Sequence, residues 1–242
     1  MKVRRHQPRA DQTRHRILQA AIVEFSEHGL AGARTSSIAQ TASVNKALLY
    51  YYFRDKEALY SAALEEVASK VAGDALTILH LPCSPGERLL RFALQHFDRI
   101  VGQQGFQALM QQEMVRFRAG QTHAMHIIAK KAFEPMFLRA RVVVEEGIRE
   151  GELCSADWMQ MLCSTLGANV FYFLSAPLVQ LVDPEHFSDP LGPAAIARRR
   201  VSAVEFLGHS LFVDRARGAR LARVVLDSMP MPAAPAPEKK TA

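Results

Sequence analysis

The chain has 242 residues, 49% of them hydrophobic and 22% charged, which is enough apolar material for a buried core and excludes disorder throughout. Its net charge of +6 is concentrated at one end: residues 1–60 hold ten Lys or Arg against five Asp or Glu, and the remaining 182 residues are nearly balanced. Three cysteines, Cys83, Cys154 and Cys163, are odd in number and lack metal-ligand spacing, so no disulfide framework is expected.

Apolar residues recur at intervals of three and four, and alternating runs are few, so the fold class expected is all-α. Residues 1–10 read as a flexible basic arm in which Pro8 interrupts any helix, and the basic residues after the initiator are not followed by the apolar run of a secretory signal. A first helix follows over 11–28, with Ile17, Leu18, Ala20, Ala21 and Phe25 on its inner side and Gly29 as its left-handed stop.

The organising stretch is 35–53, TSSIAQTASVNKALLYYYF. Ile38, Ala39 and Ala42 share one helical face, and Thr35 offers a hydroxyl to cap that helix. Ser43, Val44 and Asn45 make a turn, and Asn45 can cap a second helix. In that helix Leu48, Leu49 and Tyr52 point inward, leaving Lys46, Ala47, Tyr50 and Tyr51 outside. This is a helix-turn-helix, with a short second helix suited to entering a DNA major groove by its N-terminus. Phe53 reads as core, and Asp55 is placed to cap a further helix beginning at Lys56 and reaching about residue 72.

These residues, with the closing run Asp55-Lys56-Glu57-Ala58-Leu59, resemble the TetR family of transcriptional regulators over roughly the first quarter of the chain. The resemblance implies an N-terminal three-helix DNA-binding domain, placed at 11–60, and a larger helical effector-binding and dimerisation domain, placed at 61–228. It implies that Thr35, Tyr52 and Lys56 position the duplex through its phosphates, while Lys46, Ala47, Leu48, Tyr50 and Tyr51 lie on or near the base-reading surface. The sequence departs from the common family pattern at Ser43 for glycine, Asn45 for serine, Leu48 for threonine and Tyr51 for histidine. The expected partners are double-stranded operator DNA, a second copy of the chain and a small-molecule effector, in the bacterial cytoplasm and away from membranes. Basic residues beside the motif suit a polyphosphate partner; on their own, Arg4, Arg5, Arg9, Arg14 and Arg16 read as a solvated arm.

Prolines 82 and 85 with Gly86 break the helical pattern, making 73–85 the expected joint between domains. Beyond it, helices are expected at 86–103, 106–118, 122–150, 155–174, 193–214 and 215–228, with Pro135 kinking or splitting the third. Residues 184–193 read as a loop, and 229–242 as a disordered Pro/Ala-rich tail. The most apolar stretch, 159–182, contains Gln160, Asn169, Pro177 and Gln180 and reads as a buried helix with its exit. Stripes at Leu162, Leu166 and Val170 and at Val201, Val204, Leu207, Leu211 and Phe212 serve either an internal core or a subunit interface. Candidate effector-pocket linings are Phe92, His96, Phe97, Met110, Met114, Phe117, Phe133, Phe137, Phe171 and Phe173, for which core packing is the competing reading.

His123 and His126 share a helical face but have no third ligand nearby in sequence, so no metal site is assigned. Arg198, Arg199 and Arg200 read as a solvated helix start. No nucleophile elbow, metalloprotease motif, phosphate loop or dinucleotide fingerprint occurs, so neither catalysis nor a cofactor is expected. The alternative function is an architectural DNA-binding protein without a small effector.

Overall fold

The structure is a computed structural model that describes residues 7–231. The described residues are helical throughout, joined by short turns, with an antiparallel bridge between Leu153 and Phe212. The helices are α1 (Gln7–Gly32), α2 (Thr35–Thr41), α3 (Lys46–Tyr52), α4 (Lys56–Leu79), α5 (Pro85–Gly102) and α6 (Gln104–Arg118). After α7 (Ala124–Ile128) and a π-helical turn (Ala129–Phe133) come α8 (Glu134–Arg149), α9 (Trp158–Val182), α10 (Pro193–Leu211) and α11 (Arg215–Ser228).

Two compact units form, and neither is a continuous stretch of chain: one holds residues 7–73 and 104–135, the other 74–103 and 136–231. The first unit packs α1, α2, α3 and α6 with the start of α4 around Ile17, Leu18, Phe25, Ile38, Leu49, Leu59 and Leu64. Phe25 meets Tyr60 edge-on at 5.0 Å between centroids. Gly29 has φ 62° and ψ −178°, a conformation open to glycine, so α1 breaks its helical geometry there before its last residues. Gln112 of α6 lies against this point, with Oε1 2.9 Å from where a Cβ would stand.

The second unit is built on α5, which has nine buried residues, including Leu89, Leu90, Phe92, Phe97 and Ile100. Ser84 caps α5, accepting the Glu87 N–H at 3.3 Å. Glu152, almost fully buried, then ties three parts together: it accepts Ser84 Oγ at 2.7 Å, Gly86 N–H at 2.8 Å and Arg217 at 2.9 Å. A carboxylate beside a helix N-terminus is stabilised by the helix dipole as well as by these donors. Helices α10 and α11 cross closely at Gly208 and Gly218, where a Cβ on Gly218 would stand against the Gly208 carbonyl.

Several elements differ from expectation. Helix α1 already includes residues 7–10, with Pro8 in the first described turn. Residues 1–6 of the expected arm and 232–242 of the expected tail lie outside the described residues. Helix α4 continues through Gly73 to Leu79, because one glycine costs only about 1 kcal/mol and buried Ala75 and Leu79 extend its inner face. The division between units therefore falls inside α4, and 80–84 is only a short link.

Pro135 acts through the turn before it: the Glu134 N–H bonds to Ala129, five residues back, giving the π turn. Helix α9 starts three residues later than expected, where Asp157 caps it by accepting the Gln160 N–H at 2.9 Å. It then runs through Pro177 to Val182. It is not the buried helix expected: Phe171, Leu174, Leu178, Leu181 and Val182 are 62–81% exposed. By length and composition alone α9 could cross a membrane, with mean hydropathy 1.5 over a window only 22% buried. Arg200 is not solvated either, since it forms a bidentate, buried pair with Asp98 at 2.7 and 2.9 Å.

Candidate nucleic-acid interface

Helix α3 has only seven residues, and its support comes from both ends and one buried side chain. Asn45 accepts the Leu48 N–H at 2.7 Å, the cap that its position suggests, and Leu49 is fully buried. The turn before it places Ser43 at φ 54°, in the left-handed region where glycine is favoured. Ser43 therefore takes a conformation that a glycine would supply freely.

Lys46 and Ala47 are exposed, Tyr50 is 43% exposed and Tyr51 80% exposed. Leu48 and Tyr52 are half-buried, and Phe53 is buried. Tyr52 meets Tyr51 edge-on at 5.4 Å. Two large aromatic rings outside the core, Tyr50 and Tyr51, present hydroxyls of the kind that can donate to or accept from a groove edge.

Thr35 differs from the sequence reading. It is the first residue of α2 rather than its cap: Arg34 occupies the cap position and supplies no side-chain bond. The Thr35 hydroxyl instead pairs with the Tyr50 hydroxyl at 3.2 Å, joining the start of α2 to α3. The Arg34 N–H finds Glu24 Oε1 of α1 at 2.7 Å, a long-range partner with no local sequence signal.

Asp55 caps α4, accepting the Ala58 N–H at 2.7 Å. That bond, followed by the hydrogen bond from Arg54, holds its carboxyl below the usual range. Half-buried Lys56 donates from Nζ to the Ala31 carbonyl at 3.2 Å, so its ammonium joins the end of α1 to the start of α4. This bond was not visible in the sequence.

Behind this surface, Arg116 of α6 pairs with Glu57 at 2.7 Å and Glu113 at 3.0 Å and lies over the Tyr60 ring. Burial, then the Glu113 charge, pushes the Tyr60 phenol well above its ordinary pKa. Its hydroxyl and Glu113 Oε1 lack hydrogen bonds of good geometry. Surface cations on this unit include Arg34, Lys46 and Arg54, all exposed.

The effector candidates divide between the units. Phe92 is buried in the second unit, as is Phe97, which meets half-buried Phe173 at 5.4 Å. His96 and Phe137 are half-buried there, whereas Phe171 is 67% exposed. In the first unit Met110 is buried and Phe133 half-buried, while Met114 and Phe117 are exposed. Among the described residues, one cleft beside Tyr172 and Arg199 and another beside Glu57 and Arg116 each lie within a single unit, and none of these candidates lines either. The His123 and His126 rings lie 6.3 Å apart, and no group of three metal-ligating side chains occurs among the described residues.

Residues 17–63 match the model of bacterial regulatory proteins of the tetR family. The HTH-type transcriptional repressor SCO4008 of Streptomyces coelicolor is 46% identical over 54 residues, 22% of this chain and 28% of that protein. The HTH-type transcriptional repressor NicS of Pseudomonas putida is 38% identical over 82 residues, 34% of this chain and 38% of that one. The chain thus spans about a third of the length of these curated relatives. Among solved structures, the transcriptional regulator FadR from Bacillus subtilis, in complex with stearoyl-CoA, superposes with a TM-score of 0.59 at 17% identity, over 80% of this chain and 96% of that one. Over these residues the chain is similar to bacterial regulatory proteins of the tetR family, and its helical fold resembles that of the FadR structure.

Proposed function

We propose that the protein is a homodimeric, sequence-specific transcriptional regulator of the cytoplasm, a repressor released by a small hydrophobic or amphipathic effector. The observation that carries this reading is α3: Lys46, Ala47, Tyr50 and Tyr51 are exposed on a short helix held by the Asn45 cap and buried Leu49. Lys46, Ala47, Tyr50 and Tyr51, with half-buried Leu48, read base edges, while Thr35, Tyr52 and Lys56 hold the phosphates.

One seven-residue helix offers few base contacts, so two copies reading two half-sites give the needed selectivity. The exposed apolar side chains of α9, with Phe206 of α10 at 68% and Val213 just beyond α10 at 61%, supply a surface for a second copy of the chain. The curated relatives are named as repressors, and the FadR neighbour carries stearoyl-CoA, an amphipathic ligand. Both support repression with release by an effector. Of the candidate linings, Phe92 and His96 support an effector site best, because they belong to the interior of the second unit.

The test is binding of the purified protein to genomic fragments at two salt concentrations, followed by sequencing of the bound pool. Imperfect palindromes enriched at both concentrations are expected, with binding weakened by Tyr50→Ala and by Lys46→Ala while the dimer persists. Diffuse binding lost at the higher salt would overturn sequence-specific regulation in favour of phosphate contact alone.

A further inference from the structure

The second unit carries a polar group set around half-buried Arg99, which has no carboxylate within ion-pair distance among the described residues. Asn169, 2% exposed on α9, donates to the Ala93 carbonyl of α5 at 3.1 Å and stands 3.4 Å from His96 Nδ1. Burial, aided by the neighbouring Arg99 charge, lowers the His96 pKa to about 4, so its imidazole is neutral at cytoplasmic pH.

One turn further along α5, Arg99 follows Phe92 and His96 on a single stripe of the helix. Its side-chain partner is the neutral Gln95 Oε1, at 3.2 Å. No carboxylate comes within ion-pair distance of it among the described residues; Asp74 is felt only at longer range. Burial presses the Arg99 pKa down, the mark of a guanidinium short of compensation.

The contrast with its neighbours is informative. Arg88 and Arg91 on α5, and Arg200 against it, each pair with a carboxylate, at 3.0, 2.7 and 2.7 Å. A desolvated arginine without an acid is costly, and the cost is offset if an anion arrives from outside. Phe92, Phe97 and Phe173 provide apolar surface around the same stretch of α5 and α9.

We propose that the effector is an anionic amphipath whose carboxylate, sulfonate or phosphate pairs with Arg99, with His96 and Asn169 as uncharged hydrogen-bonding neighbours and the phenylalanines meeting its apolar body. This rests on the reading of the second unit as the effector-binding one, and it adds the sign of the charge and the residue that reads it. Guanidinium offers two parallel donors to an oxyanion, which a neutral head cannot use.

The test uses two fluorescent probes on the full-length protein at constant ionic strength: 8-anilinonaphthalene-1-sulfonate, and N-phenyl-1-naphthylamine, the same ring system without the sulfonate. The sulfonate should bind about tenfold more tightly, as one charge-assisted contact provides. Arg99→Gln should abolish that preference while leaving the uncharged probe's Kd unchanged, which also reports a folded interior. Arg99→Lys should retain part of the preference, and Arg198→Gln, a surface control, all of it. Equal affinity for both probes, or a sulfonate Kd unmoved by Arg99→Gln, overturns the anionic head and leaves a hydrophobic effector standing. Binding of neither probe overturns both this inference and the effector reading beneath it.

Discussion

Ser43 takes a left-handed backbone conformation at φ 54° without a glycine's freedom, at the turn that aims α3. A side chain there costs about 1 kcal/mol or more, partly offset by the greater unfolded-state entropy of glycine. Ser43→Gly should therefore stabilise the protein by about 0.5 kcal/mol, read as a higher denaturant midpoint, and Ser43→Val should lower it. A second single-residue effect follows from His96, whose folded pKa is about 4 against an ordinary 6.5. Above pH 6.5 the ring is neutral in both states. As the pH falls from 6.5 towards 4, the unfolded chain binds a proton that the folded chain refuses, so stability declines, by on the order of 3 kcal/mol at most. Denaturation curves at pH 7.5 and pH 5 should show this loss in the native protein and a smaller one in His96→Gln.

Short helices depend on their ends, and α3 is the clearest case. Removing its cap with Asn45→Ala should cost about 1 kcal/mol. It should also weaken operator binding, because the first turn carrying Lys46 and Ala47 frays; an unchanged affinity would detach helix order from recognition. The same locality decided what could be read in advance. Asn45, Asp55 and the limits of α11 followed from caps and periodicity, because the signal lies within four residues of its effect. Thr35 pairing with Tyr50, Lys56 with Ala31 and Arg200 with Asp98 join residues 15, 25 and 102 apart, and no local pattern announces them. The same holds for the continuation of α4 past Gly73, which tertiary burial of Leu79 secures against a weak local preference. The apolar composition of α9 was plain from sequence, but not that its outer side would face away from its own core.

Across the whole molecule, the exposed faces of α9 and α10 make a definite demand. Leu178→Asp with Phe206→Asp places two charges on that surface at positions 63% and 68% exposed, so the single chain should still fold. Light scattering should report a dimer for the native protein and a monomer for the double variant, with operator affinity falling steeply as the second half-site is lost. A dimer that survives both substitutions would move the subunit contact elsewhere. The interleaving of the two units bears on how the protein is made. All the segments of the first unit have been synthesised once residue 135 leaves the ribosome, whereas α5 must wait for α9, α10 and α11 before its buried side is covered. Phe97 is therefore left without its ring partner Phe173, 76 residues further along, and open to chaperones and premature association in the meantime. Slowing elongation in that interval should do more harm to the second unit than to the first, so the nascent chain would hold α3 in place before the second unit has closed its core.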